Sequence, residues 1–397
     1  MMNAMRNPGR RRLLLATLAG VAGRAWPGSE VPAASAPAAA APLDAFILAQ
    51  MKSARIPGLA IGIAHAGRVT LARGYGFADL ASRRRVTPDS MFHIASVTKP
   101  VTATAVMQLV EQGRMRLDDP VEPFLDFPVR HPRHADVPIT FRHLLTHTAG
   151  ISDERYVEID FRIRGRDSEM PIGELLRDCL VPGGKSYDAD KSFGKAAPGQ
   201  EWDYSNLGFA LLGYLATRIA GADMRTQATK RIFEPLGMRR VSWTIAGTPA
   251  SLRVTPYDIV DDRPVAVGPV GFPDWSAGML RASAADFALF LAASADGGAS
   301  ARARILAPDT LAAMLAMQQP AGLPTWLTGQ GLGWEGALLD KRSVIEHWGG
   351  DPGVFTAAYL DPASRTGVAV FTNTTVSAGA RSAVKAIAAR LLADGAA

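Results

Sequence analysis

A serine hydroxyl becomes a useful nucleophile only when a neighbouring group takes its proton. Ser96-Val97-Thr98-Lys99 places a lysine three residues beyond a serine. On a helix those two positions share a face, so the lysine nitrogen can reach the hydroxyl. A lysine held neutral by burial or by cationic neighbours can then act as the base. Met91 to Ala95 is a short apolar run, and Val101 to Val110 is apolar at helical spacing. Pro100 falls in the first turn, where a missing N–H costs little. Ser96 is therefore expected at a helix N-terminus, where backbone N–H groups favour developing negative charge. The pattern alone is weak, because two fixed residues recur by chance about once in a chain of this length. Ser382-Ala383-Val384-Lys385 repeats it, inside a stretch (Ala378 to Leu392) that is apolar at helical spacing with Arg381, Lys385 and Arg390 between. That serine falls in mid-helix, on a solvated face.

Two further groups make Ser96 specific. Tyr204-Ser205-Asn206 lies between the turn Pro198-Gly199-Gln200 and a helix expected from Leu207. In extended chain, residues two apart face the same way, so a phenol and a carboxamide can point together into a cleft. Beside a lysine, such a phenol can carry protons and such an amide can hold both the lysine and a substrate carbonyl. The plainer alternative is that Tyr204 and Asn206 bound a helix, with Asn206 as its N-cap. His347-Trp348-Gly349-Gly350 ends a strand-like run. Glycines without side chains let backbone N–H groups come close to a ligand. One of those groups with the N–H of Ser96 makes an oxyanion hole, and His347 is expected to face the same cleft as a hydrogen-bond donor. His65-Ala66-Gly67 has the same outline but fits a hairpin turn.

These groups come from distant parts of the chain, and the elements between must bring them together. Leu43 to Arg55 is helical in spacing and stops at Ile56-Pro57-Gly58. Leu59 to Ala64 and Val69 to Phe77 have strand character. A long, mostly helical middle follows, with Gly173 to Leu180, Leu207 to Ala220, Gln227 to Phe233, Ala284 to Ala293 and Pro308 to Met317 as its clearest helices. After Gly331 the period returns to two, giving strands at Val344 to Trp348, Val354 to Leu360 and Gly367 to Thr372, then a closing helix. This predicts an α/β (α+β) fold. Its antiparallel sheet is built from about 42–95 and 331–397, with a helical sub-domain, about 100–330, inserted between the halves.

Composition excludes other classes. The chain has 397 residues, 48% hydrophobic and 20% charged, an ordinary globular balance. Of the net +6, Arg6, Arg10, Arg11, Arg12 and Arg24 against Glu30 put +4 before residue 41, leaving +2 for the body. That argues against nucleic acid as a partner. Residues 1–41 have the form of an export signal with an Ala/Pro linker. Arg10-Arg11-Arg12 precedes the apolar run Leu13 to Ala22, in the manner of a twin-arginine signal. About ten apolar residues are too few to span a bilayer, so the expected place is the periplasm or medium, with no stable membrane anchor. Cys179 is the single cysteine and permits no internal disulfide. His143 and His147 lie four apart, but no glutamate follows His143, so neither a metal nor another cofactor is expected. No Gly-x-Ser-x-Gly occurs, which removes the nucleophile elbow of α/β-hydrolases.

Taken in order, Ser96-x-x-Lys99, Tyr204-x-Asn206 and His347-x-Gly349 resemble the signature of the serine β-lactamase and penicillin-binding protein superfamily. Tyr-x-Asn points to the branch of class C β-lactamases, D,D-carboxypeptidases, D-aminopeptidases and family VIII esterases. Leu144-Leu145-Thr146-His147-Thr148-Ala149-Gly150, Ala277-Gly278-Met279-Leu280 with Asp286, and Gly331-Leu332-Gly333-Trp334 are similar to segments of that branch. The resemblance runs from about Leu43 to Leu392. It implies a β-lactamase/transpeptidase-like fold and acylation of Ser96, with Lys99 and Tyr204 sharing the acid–base work in an unassigned order. It further implies substrate positioning by Asn206 and an oxyanion hole from the N–H groups of Ser96 and Gly350. Where β-lactamases of this branch carry Lys-Thr-Gly to bind a carboxylate, this chain has His347-Trp348-Gly349. Trp348 either crowds that place or, by strand alternation, faces away from it. Both arrangements favour a carboxylesterase on small acyl esters. A D,D-carboxypeptidase, D-aminopeptidase or β-lactamase is the alternative, and an inactive substrate-binding relative the non-enzyme one. The expected partner is a small ester, amide or peptide; no oligomeric state follows.

Overall fold

The computed structural model describes residues 41–395. The expected export signal and linker, residues 1–41, lie outside them apart from Ala41. Helix α1 (Ala41–Ala54) leads into the hairpin β1 (Gly58–His65) and β2 (Arg68–Asp79), followed by the short β3 (Arg84–Arg85). Ala66 and Gly67 between β1 and β2 have φ of 47° and 75°. Positive φ at both central residues is what a two-residue hairpin needs to match the strand twist. The other strands of the main sheet are β4 (Leu327–Gln330), β5 (Glu335–Leu339), β6 (Arg342–Asp351), β7 (Val354–Asp361) and β8 (Thr366–Thr372). They form one eight-stranded antiparallel sheet in the order β4-β5-β6-β7-β8-β1-β2-β3. The two ends of the chain meet where β1 pairs with β8, Leu59 opposite Thr372.

Helices cover both faces of this sheet. Ile61, Ile63, Ala357, Tyr359, Val368 and Val370 pack towards α1 and the closing helix α7 (Ala378–Gly395). Ala60, Ala358, Ala369 and Phe371 face α6 (Ala284–Ser294) instead. A Cβ on Gly62 would collide with the Ala284 carbonyl and lie 3.0 Å from Ala288 Cβ, so this glycine sets how closely α6 approaches. Cover on both sides explains why every residue of β7 and β8 is buried. Helix α6 thus belongs to the sheet's own packing, although its place in the chain is inside the helical stretch.

The helical lobe is built on α2 (Lys99–Glu111), α4 (Asn206–Ala220) and the short α5 (Trp275–Gly278), with α3 (Phe141–Leu145) against α4. Met91–His93 pairs with Arg281–Ser283, His93 opposite Arg281. That ladder ties the chain just before Ser96 to the chain just after α5. Strands β4 and β5 were not expected, because Gly329, Gly331, Gly333 and Gly336 break the alternation of their sequence. The turn between them presses on the helical lobe: a Cβ on Gly333 would sit 2.5 Å from Ala103 Cβ and 3.5 Å from the Lys99 carbonyl. The segment Gln227 to Phe233 also differs from a plain helix, being α-helical at Met224–Ala228 and a π turn at Thr229–Phe233. Among the described residues no helix is long and apolar enough to cross a membrane.

Candidate active site

Ser96 lies in a 3-10 turn, Ala95–Thr98, that runs directly into α2, with Pro100 in the first turn of that helix. Ala95 is held at φ 47°. This is a costly backbone conformation for a residue with a Cβ, and such strain collects at functional sites. Ser96 remains partly exposed while Lys99 is fully buried. The Lys99 ammonium donates to Ser96 Oγ at 3.1 Å, Asn206 Oδ1 at 2.7 Å and the Ala277 carbonyl at 2.9 Å. Burial pushes Lys99 down to about 7, against the charges of Asp153, Asp274 and Glu335, which favour its protonated form. Once neutral, the amine offers a lone pair to the serine proton. Ser382, the other serine of this spacing, lies exposed on α7.

Tyr204 comes to the same point from another element. Its ring centroid is 4.7 Å from Lys99 Nζ, and its ring stacks on His147 at 4.4 Å. Burial pushes the phenol well above its usual range; Glu335 adds to this, and a hydrogen bond with Ser96 opposes it. Tyr204 therefore keeps its proton at neutral pH, and of the two it is Lys99 that is poised between its forms. Ser205, not Asn206, is the N-cap of α4, its side chain accepting from the Gly208 N–H at 2.9 Å. That frees the Asn206 side chain to reach Lys99.

Strand β6 lines the site with alternate residues. A Cβ on Gly349 would lie 2.8 Å from the Ser96 nitrogen and 2.8 Å from Thr356 Oγ1, and would collide with the Ile94 carbonyl. The missing side chain is what lets this strand run beside Ser96. Beyond Glu346 the edge of β6 has no partner in β5, which has ended. That leaves the β6 edge at Gly349 and Gly350 without a strand partner on the β5 side, with Gly349 buried beside Ser96 and Gly350 partly exposed. Gly349→Ala is expected to lower kcat/KM by about a hundredfold, mostly through kcat; steady-state kinetics check this.

His347, expected to face the cleft, is placed differently, and the structure decides between the two places open to Trp348. His347 is 1% exposed. Its Nδ1 lies 2.9 Å from the Trp348 carbonyl, which can only accept, so the ring proton is used there. Nε2 is buried with no hydrogen-bond partner, and burial pushes the imidazole down to about 3, Lys99 adding to the effect. His347 is a neutral ring 6.4 Å from that of Tyr204 and offers no donor to the cleft. Trp348 lies on the opposite face, as alternation requires. It packs against Phe355 at 6.3 Å, with the Arg381 guanidinium 4.3 Å from its ring centroid. Trp348→Ala is expected to cost about 2 kcal/mol of stability while ester kcat/KM stays near the parent's, as thermal unfolding and kinetics would show.

Several residues that complete the site carry no signal of their own in the sequence. Ala277 acts through a backbone carbonyl. Asp153 accepts from Ser205 Oγ at 2.9 Å and from the Asn206 and Leu207 N–H groups at 2.6 and 3.1 Å. Asp274, before α5, takes a hydrogen bond from Tyr156 at 2.5 Å. His147 was noticeable only within the Leu-Leu-x-His stretch. Helix α3 ends before it, and its Nδ1 accepts from the Ser205 N–H at 3.1 Å. His143 belongs instead to the capping box of α3 with Thr140.

Comparison with known proteins agrees with this geometry. The sequence profile of the family described as Beta-lactamase matches residues 43–392. Esterase EstB of Burkholderia gladioli is 29% identical over 375 residues, covering 84% of this chain and 90% of that protein. The octameric penicillin-binding protein homologue from Pyrococcus abyssi superposes with a TM-score of 0.73 at 27% identity, over 89% of this chain and 77% of that one. EstCE1, described as a hydrolase with promiscuous acyltransferase activity, gives 0.72 at 23% identity, over 88% and 97%, a likeness of fold. With a serine, a buried lysine, a tyrosine and an asparagine gathered on this sheet-and-helix frame, the chain belongs to the β-lactamase family of serine hydrolases.

Proposed function

We propose that the protein hydrolyses small acyl esters through an acyl-enzyme on Ser96. The observation that carries this is the 3.1 Å contact between Ser96 Oγ and Lys99 Nζ, with the lysine buried and pushed down to about 7. Neutral Lys99 takes the Ser96 proton as Oγ attacks the ester carbonyl carbon. The carbonyl oxygen gains the charge and is met by the N–H groups of Ser96 and Gly350. When the intermediate collapses, the C–O bond to the leaving alkoxide breaks, and the proton passes from Lys99 by way of Tyr204 to that oxygen. Water repeats the sequence on the acyl-enzyme, giving its proton to Lys99 and releasing Ser96 with the carboxylic acid. The Asn206 Oδ1 is engaged by Lys99, so its amide N–H2 is the end left to meet the bound substrate.

An ester is favoured over a carboxylate-bearing amide by β6. His347 is buried and neutral, and Trp348 packs on the far face, so this strand presents no cation to the cleft. The likeness to an esterase across most of both chains supports the same choice. The test is a parallel assay of p-nitrophenyl butyrate, nitrocefin and a D-alanyl peptide. Turnover of the butyrate well above the other two is expected, and faster turnover of nitrocefin or the peptide would overturn the ester assignment. Export by way of Arg10-Arg11 and the run Leu13 to Ala22 belongs to the same proposal. Fractionation should find the protein in the periplasm or medium, and retention in the cytoplasm would overturn that part.

A further inference from the structure

The Tyr204–Asn206 segment is short, lies between a turn and a helix, and must hold two functional side chains against Lys99. What holds it is one loop, 147–153. His147, at φ 56°, accepts the Ser205 N–H through Nδ1 and lies flat on the Tyr204 ring. Its own carbonyl accepts from the Asp203 N–H at 2.8 Å. Asp153 then receives the first two free N–H groups of α4 and the Ser205 hydroxyl. Both of its oxygens act as acceptors, the pattern of an ionised carboxylate; these contacts and the positive end of the helix dipole favour that charge against burial, which pushes the carboxyl up. Ser205 passes the contact on by accepting from Gly208, so the first turn of α4 is satisfied by these two side chains.

We propose that Asp153 is a positioning residue of the Ser96 site, holding Tyr204 and Asn206 in register with Lys99 and setting a carboxylate near the lysine. This rests on the Ser96–Lys99 reading above and deepens it. The groups around Lys99 come from separate elements: Asp153 from the loop, Asp274 before α5, Glu335 on β5, with His147, His347 and Tyr204 beside them. Asp153 is the first among the charges that favour protonated Lys99. It is also the carboxylate bonded directly to the segment that carries Asn206. Position and charge are therefore coupled in a single side chain.

The two roles separate in a pH profile. In Asp153→Asn, Lys99 loses a negative neighbour that stabilised its protonated form, so it deprotonates more readily. The acid limb of kcat/KM against pH is expected to move to lower pH by about half a unit or more. On the plateau, kcat is expected to fall about tenfold or more as Tyr204 and Asn206 lose their register. Ser205→Ala removes a contact but keeps the charge, so it should lower kcat and leave the limb in place. A limb that stays put in Asp153→Asn, with only a lower Tm, would overturn the proposal. If Asp153→Asn does not fold, Asp153→Glu decides, since it keeps the charge and displaces the contacts. It must hold the parental limb while losing kcat, and a shifted limb or an unchanged kcat would overturn the assignment. The underlying reading fails separately: the parent would then show no acyl-enzyme at Ser96, whatever the variants do.

Discussion

Ser96→Ala is expected to lower ester turnover by about ten-thousandfold or more while leaving the thermal unfolding midpoint at or above the parental value. The size follows from what is removed. Without Oγ no acyl-enzyme can form, and what remains is the oxyanion-stabilising backbone, which accelerates only direct attack by water. The lost hydroxyl contributes little to the core, since Ser96 is partly exposed at the cleft. Its removal also frees Lys99 from one of three acceptors and leaves Asn206 and the Ala277 carbonyl in place. Steady-state kinetics on p-nitrophenyl butyrate, with calorimetry of the same preparation, check both halves. Undiminished turnover would remove Ser96 from the chemistry altogether.

Lys99 should control the pH dependence of the parent enzyme. A base must be unprotonated to act, and Lys99 is pushed down to about 7 by burial. kcat/KM is therefore expected to climb with pH through that value and flatten above it. Below it, kcat/KM should drop about tenfold for each unit, as for any single essential ionisation. Tyr204 does not produce that limb, because its phenol is held well above its usual range. Lys99→Arg keeps the charge and much of the bulk but cannot give up its proton. A loss of about a thousandfold or more is expected, with no recovery at high pH. A Lys99→Arg enzyme that kept the parental limb would move the base role to another group. Asp153→Asn shifts the parental limb in the acid direction, so the two variants bear on one titration from opposite sides.

The parts of this site that a reader of the sequence can find are those whose partners are near in the chain or repeat a regular period. Ser96 and Lys99 meet because they are one turn apart, and the 3-10 turn before α2 keeps that proximity. Tyr204 and Asn206 stand out by spacing, but the cap of α4 is the residue between them. Alternation in β6 made an outward Trp348 one of two open outcomes, and packing on Phe355 and Arg381 selects it. His347 shows the limit of that period, which gives a residue's face and not its depth. The ring lies on the site's side yet is wholly enclosed, with its proton bound by its neighbour's carbonyl. Asp153, Asp274 and the Ala277 carbonyl could not be picked out, since each acts across a long loop and is ordinary in its own surroundings. In the fold, the terminal strands and most long helices follow from apolar periodicity. The glycine-rich β4 and β5 do not, because their place in the sheet depends on pairing with β6 and not on their own pattern.

The most direct test of the central claim is to trap the nucleophile. A p-nitrophenyl alkylphosphonate resembles the tetrahedral intermediate of ester hydrolysis and leaves a phosphonyl group that water removes slowly. The expected result is one adduct per chain by intact mass, mapping to the peptide that contains Ser96, with loss of ester turnover in proportion to labelling and no adduct in Ser96→Ala. Labelling at another residue that tracks the loss of activity, or full activity in a chain labelled at Ser96, would contradict it.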